Sequence, residues 1–227
     1  MKVAAIVPAA GTGRRLKSKI DKPYIQLCGK PIIAHTLLRL SANRHIKEII
    51  VAVKKERLTA FRRDIIKRFR IKKARVVIGG RERIDSVYSA LREASKDIDY
   101  ILIHDGIRPF ITHSLIDSSL KAAKKSGASV VAVRVKPTLK YVGKTDYVQN
   151  TPDRRDYWEA QTPQVFKRDL IEKAYRKLKK KTHITDDAML VERIGVKPKI
   201  VLGSYSNIKI TTKEDLGLAK IFCREAL

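Results

Sequence analysis

Short, continuously apolar runs recur along this chain, and segments with helical spacing separate them. Lys2 to Val7 (KVAAIV) ends at Pro8 and a glycine-rich loop, and a helix follows from Pro31 through His35, Leu38 and Leu40. Glu48 to Val53 reads as the next strand, a basic helix starts at Glu56, and Arg75 to Ile78 forms a strand closing on Gly79-Gly80. Ser86 to Ala94 reads as a helix, Tyr100 to His104 as a strand, Thr112 to Ser126 as a helix capped by Thr112, and Ala128 to Val135 as a strand. Strands without an alternating polar face must be covered on both sides, so the pattern predicts an α/β fold built on a mostly parallel sheet with helices on both faces.

The alternation stops between Pro137 and Gln164, where Tyr141 to Val148 reads as a polar hairpin around Gly143. Such a hairpin has little core to sit on, so it is expected to protrude as an arm, over its own site or across to another subunit. After it come a helix from Lys167, a short helix from Asp186 to Ile194, strands at Lys199 to Val201 and Ile208 to Ile210, and a last helix to Ala226. A length of 227 residues fits one domain with 137–164 as an insertion.

Fifty Lys and Arg against 23 Asp and Glu give a formal charge of +27, which raises the question of a nucleic-acid partner. The densest basic stretch, Lys54 to Arg75, carries Leu58, Phe61, Ile65 and Phe69 at helical spacing, and Lys167 to Lys181 does the same with Leu170, Ala174 and Leu178. Both are amphipathic helices with solvated basic faces, and no RNA-binding aromatic motif accompanies them. Polyanionic small molecules account for the charge equally well. No run of about 18 apolar residues occurs, so no membrane partner is expected and the protein is placed in the cytoplasm. Cys28 and Cys223 lack the spacing of a metal or redox motif and read as reduced, structural residues.

Ligands of open parallel sheets bind beyond the carboxyl ends of the strands. The loop Pro8-Ala9-Ala10-Gly11-Thr12-Gly13-Arg14-Arg15 offers small residues where backbone N–H groups can approach phosphates, and Lys22-Pro23 follows it. It is neither a dinucleotide fingerprint, since Leu16 replaces the third glycine, nor a P-loop, since no Gly-Lys-Ser/Thr follows. A second loop, His104-Asp105-Gly106-Ile107-Arg108-Pro109, places a carboxylate where a Mg²⁺ ligand would stand beside phosphates, and His104 reads as structural. Thr138, Arg154, Thr162-Pro163-Gln164, Thr185-Asp186 and Asn207-Ile208-Lys209 complete the set of polar loop residues.

The ordered motifs PAAGTGRRL…DKPY, GGRERIDSV, HDGIRP, TPQVF, ITDDA and NIKIT span nearly the whole chain, and in that order the sequence resembles the 2-C-methyl-D-erythritol 4-phosphate cytidylyltransferases. The resemblance implies a Rossmann-like nucleotidyltransferase fold whose arm embraces a second subunit, giving a homodimer. It also implies transfer of CMP from CTP to a sugar-alcohol phosphate, with Mg²⁺ or another divalent ion as cofactor. Carried over, Arg15 and Lys22 are the pair that stabilises the transition state. Ala9, Ala10, Gly11, Gly13, Gly80, Ser86 and Asp105 bind the nucleotide, Asp105 with a metal-ligand role or the metal held by phosphate oxygens alone. Arg108, Thr138, Arg154 and Lys209 position the acceptor, Thr138 and Arg154 from the partner subunit, with Thr162 and Thr185 as further candidates. The chain departs from the family at Pro23, where Gln is common, at Arg81, where Asp often follows the glycines, and at Gly106, where Ala is usual. The alternatives are a ribitol 5-phosphate cytidylyltransferase and a basic RNA-binding α/β protein.

Overall fold

The computed structural model describes residues 1–11, 21–144, 146–178 and 184–225. Its main sheet is built from β1 (Val3–Pro8), β4 (Ile46–Val53), β5 (Ala74–Ile78), β6 (Tyr100–Ile103), β7 (Ala128–Arg134), β8 (Trp158–Lys167) and β9 (Lys199–Leu202). These seven strands lie in the order β5-β4-β1-β6-β8-β7-β9. β5, β4, β1 and β6 pair in parallel, as do β7 and β9. β8 alone runs against its neighbours β6 and β7.

The two-residue alternation of β1 feeds two cores. Val3, Ala5 and Val7 pack on one face with α1 (Ile32–Ala42), α2 (Leu58–Phe61) and α4 (His113–Ser126). Ala4 and Ile6 pack on the other with α3 (Arg83–Arg92), α5 (Arg168–Arg176) and α6 (Ala188–Glu192). Covered sides explain why the strand reads as unbroken apolar sequence. Thr112 caps α4 as expected, its hydroxyl accepting from the Leu115 N–H at 3.2 Å, and Gly127 ends the helix at φ 80°. A third cluster joins α7 (Lys213–Glu225) to a small hairpin of β2 (Gln26–Leu27) and β3 (Lys30–Pro31) through Leu27, Ile32, Phe110 and Cys223. Its turn residues Cys28 and Gly29 both have positive φ, as a tight hairpin turn requires. Cys28 is exposed and Cys223 buried, and burial together with the neighbouring Cys28 thiol pushes Cys223 up to about 11. The two cysteines, far apart in the chain, are neighbours in the fold.

Three expectations change. The segment 137–164 is not all arm, because Trp158 to Gln164 belongs to β8 in the middle of the sheet. The polar run Gln161-Thr162-Pro163-Gln164 hides this strand, and Pro163 sits where the β7–β8 register shifts, between Val130 and Ala132. Ile208 to Ile210 forms no strand; it is an extended loop tied by the Ile210 N–H to the Ile107 carbonyl at 3.0 Å. The basic helix from Glu56 is not one regular helix either. After α2 it widens into a π-helix over Arg62–Lys67, with Arg68 N–H reaching Arg63 O at 3.2 Å, and this keeps Phe61, Ile65 and Ile71 on the core side. Within the remaining arm, Tyr141 and Asn150 form an isolated bridge, and Tyr141, Tyr147, Val148 and Tyr157 are exposed. No helix among the described residues is long and apolar enough to cross a membrane.

Candidate active site

Chain order runs outward from β1 to β4 and β5 on one side and resumes with β6 on the other, so a crevice opens at the strand ends where the order reverses. The loop after β1 enters it first, held by the Ala9 N–H to Ala52 O at 2.8 Å. Opposite, the turn after β5 is held by the Gly79 N–H to Val53 O at 2.7 Å. These loops approach so closely that a Cβ on Gly79 would lie 2.8 Å from the Ala10 Cβ and from the Ser86 Oγ, and one on Gly80 would lie 2.2 Å from the Asp85 Cβ. Only glycine fits there. Ser86 fixes the turn by accepting from the Gly80 N–H at 3.1 Å while donating to Glu82 O at 3.1 Å. α3 starts immediately after, with Glu82 and Asp85 forming a reciprocal capping box.

Lys22 opens the short 3-10 turn Lys22–Tyr24 and projects into the same cleft, 6% exposed, its ammonium donating to Thr211 O at 2.7 Å. Asp21 before it is anchored by Lys54 at 3.0 Å and Arg57 at 3.6 Å, which fixes the approach of the chain. The cleft has a volume of about 420 Å³ and collects Ala9, Ala10, Gly11, Lys22, Gly80, Ser86, Asp105 and Lys209 from the sequence-predicted residues, with Arg81 and Arg83 added. A smaller adjoining cavity of about 210 Å³ takes Arg108, Thr162 and Thr185, and shares Arg83, Asp105 and Lys209 with the first.

Asp105 stands between the two, and three cations share its carboxylate. Arg83 Nε lies 3.4 Å from Oδ1, while Oδ2 receives Lys209 Nζ at 3.0 Å and Arg108 Nε at 3.4 Å. Burial raises the carboxyl pKa, but the charges of Arg83, Lys209 and Arg108 outweigh it and hold the group well below the usual carboxylate range. Arg108 also donates to Asn207 O at 2.7 Å, and Arg83 reaches Asp187 at 2.6 Å. The expectation that Asp105 ligates a metal fits this donor set poorly, since both carboxylate oxygens already face cations. Among the described residues no group of three or more His, Cys, Asp or Glu side chains could hold a metal ion.

His104 is fully buried, and its hydrogen bonds fix its state. Nε2 lies 3.1 Å from Arg108 O, a pure acceptor, so Nε2 carries the proton. Nδ1, 3.0 Å from the Thr162 hydroxyl, then accepts, and the Thr162 oxygen itself accepts from the Asp105 N–H at 3.0 Å. Burial pushes the imidazole down to about 4, so it is a neutral structural strut, as its sequence context suggests.

Thr138 and Arg154 are exposed on the arm and do not line the cleft of their own chain; Arg154 donates to Lys136 O. Arg15 and Gly13 lie outside the described residues. Sequence reasoning missed Arg83 and Asp187; Gln164, which it singled out as a polar loop residue, lies in β8, where its amide joins Asp186 at 2.7 Å and the Ala188 N–H at 3.0 Å. For Arg83 a signal existed: an arginine opening a helix faces the positive end of the dipole and calls for nearby carboxylates.

A cleft of backbone N–H groups and converging cations suits a nucleoside triphosphate and a second phosphorylated ligand. The family model for 2-C-methyl-D-erythritol 4-phosphate cytidylyltransferase (IspD) matches residues 3–225. A relative of that name from Clostridioides difficile (strain 630) is 45% identical over 96% of this chain and 92% of its own length. One from Caldanaerobacter subterraneus subsp. tengcongensis is 40% identical over 99% of this chain and 100% of its own length. Among solved structures, 4-diphosphocytidyl-2C-methyl-D-erythritol synthase from Anaerococcus prevotii superposes with a TM-score of 0.85 at 35% identity, covering 98% of this chain and 96% of that one. The cytidylyltransferase from Thermus thermophilus gives 0.81 at 29% identity, covering 99% and 100%. These relatives favour neither the ribitol phosphate nor the RNA-binding alternative. Motif order, fold and the geometry of the cleft agree with them, and the chain belongs to the 2-C-methyl-D-erythritol 4-phosphate cytidylyltransferase family.

Proposed function

We propose that this chain transfers CMP from CTP to 2-C-methyl-D-erythritol 4-phosphate, giving 4-diphosphocytidyl-2-C-methyl-D-erythritol and pyrophosphate, a step toward isoprenoid precursors. The observation that carries the reading is the convergence of Lys22, Arg83, Arg108 and Lys209 on two adjoining cavities that share Asp105. An acceptor phosphate oxygen attacks the α-phosphorus of CTP in line with departing pyrophosphate. A phosphate monoester has its second pKa near ~6, so at neutral pH the nucleophile is already largely ionised and no general base is needed. Repulsion between two anions is the barrier to be lowered, and Lys22 as a point charge with Arg15 as a planar fork supplies the countercharge.

Backbone groups at Ala9, Ala10, Gly11 and Gly80, with Ser86, hold the nucleoside, and Gly13 is a further nucleotide-binding residue. Lys209 and Arg108 take the acceptor from one chain, with Thr162 and Thr185 beside them. The partner subunit's Thr138 and the partner subunit's Arg154 take it from the other, which makes the working unit a homodimer joined through the arm. Mg²⁺, or another divalent ion, belongs with the phosphate oxygens of CTP, which bring hard donors of their own, and not with Asp105.

The test is release of pyrophosphate from CTP with methylerythritol phosphate, with ribitol 5-phosphate, or with neither. Release only with the first supports the reading, and equal turnover of both acceptors overturns the assigned substrate.

A further inference from the structure

Arg83 is the first residue of α3, where a cation meets the positive end of the helix dipole. Two carboxylates from distant parts of the chain offset that cost. Arg83 Nη1 is 2.6 Å from Asp187 Oδ2, and Asp187 is 1% exposed and accepts at Oδ1 from the Tyr175 hydroxyl at 2.7 Å. Held on both oxygens, Asp187 is a fixed post at the start of α6. The other edge of the guanidinium faces Asp105 Oδ1 at 3.4 Å, leaving Oδ2 to Lys209 and Arg108. A carboxylate is planar, so the direction of Oδ1 sets that of Oδ2.

We propose that Arg83 is a positioning residue of the acceptor half of the site: by bridging Asp187 and Asp105 it orients the carboxylate that sets Lys209 and Arg108. This rests on the reading that those two cations face the acceptor. Without Arg83, Asp105 is free to turn and to engage Lys209 with both oxygens, drawing its ammonium away from the acceptor. Arginine suits the role because its planar fork spans two carboxylates with fixed geometry, whereas a lysine ammonium satisfies one. The same side chain lies on the wall between the two cavities, so its loss is felt on the acceptor side while the backbone slot of the nucleotide stays in place.

The experiment compares Arg83→Gln, Arg83→Lys, the double variant Arg83→Gln/Asp187→Asn and the reference Lys209→Ala. CTP binding is measured by calorimetry, and KM for methylerythritol phosphate by pyrophosphate release. Arg83→Gln is expected to raise the acceptor KM by about tenfold or more, the usual scale for a lost charge-assisted contact, with CTP affinity within about threefold. Arg83→Lys should stay close to Arg83→Gln, because charge without the fork does not orient Asp105. The double variant leaves no unpaired carboxylate at Asp187, so it carries the test should the single variant fail to fold, and it should show the same raised KM. An unchanged acceptor KM in a folded variant overturns the proposal, as does full rescue by lysine, or a loss of CTP affinity of about tenfold, which would make Arg83 a nucleotide ligand. If Lys209→Ala raises the acceptor KM and Arg83→Gln does not, the proposal alone fails; if Lys209→Ala weakens only CTP, the acceptor reading fails with it.

Discussion

Lys22 is a long cationic side chain almost wholly withdrawn from water, and the carbonyl of Thr211 holds its ammonium in the cleft. A charge so placed needs little reorganisation when negative charge builds at the α-phosphorus, so Lys22→Ala is expected to lower kcat by about 10² to 10³. CTP affinity, measured by calorimetry, should change far less; near-normal turnover would remove Lys22 from the chemistry. His104 makes a prediction of a different kind. Its folded pKa of about 4 lies below the unfolded value, so the unfolded chain binds the extra proton first as pH falls. The contribution is complete above pH ~6.5 and is lost between there and ~4, amounting to about 3 kcal/mol at about 1.4 kcal/mol per pH unit. Asp105 is depressed too, and its contribution is present above about pH 4 and lost below, in a separate window. Urea denaturation at about pH 7 and about pH 4.5, either side of most of the His104 window, should show a steeper loss for wild type than for His104→Gln. Equal slopes would contradict the assignment. At this scale the sequence made glycines, lysines and loop carboxylates legible through their motifs. It could not show a role for Asp187 or the burial of Gln164, because a buried polar residue is explained by partners far along the chain, as Gln164 is by Asp186 and Asp187 by Arg83 and Tyr175.

Strands with one composition on both faces were readable, and β1, β4, β6 and β7 fall where unbroken apolar runs place them. β8 was not, since Gln161, Thr162 and Gln164 read as loop chemistry although all three are buried. Their burial is tolerated because each is hydrogen-bonded, Gln161 to Ser204 O, Thr162 to His104 and Gln164 to Asp186, and polar strands of this kind defeat any hydropathy pattern. The π-helical widening after α2 was equally silent, because Phe61 and Ile65 are spaced as in a regular helix. Gly106 makes a testable link between two elements. A Cβ there would lie 2.5 Å from Ile33 Cδ1 on α1 and 3.2 Å from Val7 Cγ1 on β1, so the Ile33 side chain occupies the space an alanine methyl would need. Gly106→Ala alone should destabilise by about 1–3 kcal/mol through overpacking, and Ile33→Val alone by about 1 kcal/mol through a lost methylene. The double variant restores the volume and should recover most of the loss, giving a coupling energy of about 1 kcal/mol or more in urea denaturation. Simple additivity would show that the loop after β6 gives way instead of α1.

The whole molecule carries a charge of +27, yet the cations that matter to the cleft are few and specifically anchored, while in the two densest basic stretches it is Leu58, Phe61, Ile65 and Phe69, and Leu170, Ala174 and Leu178, that pack against the cores. Charge therefore describes the environment a polyanion meets and not the site. The arm is the larger question of scale, because Tyr141, Tyr147, Val148 and Tyr157 are exposed on it, and Thr138 and Arg154 stand on it away from the cleft of their own chain. A site that takes Lys22 from one chain and Arg154 from the other predicts complementation. Lys22→Ala and Arg154→Ala should each be nearly inactive alone. When the two are unfolded together and refolded, one site of each mixed dimer receives both lesions and the other receives neither. With random pairing, half the dimers are mixed and each has one intact site of two, so activity should return to roughly a quarter of wild type in a symmetric assembly. Were Arg154 to serve its own chain, every site in the mixture would retain a lesion, and the refolded mixture would stay as inactive as its components.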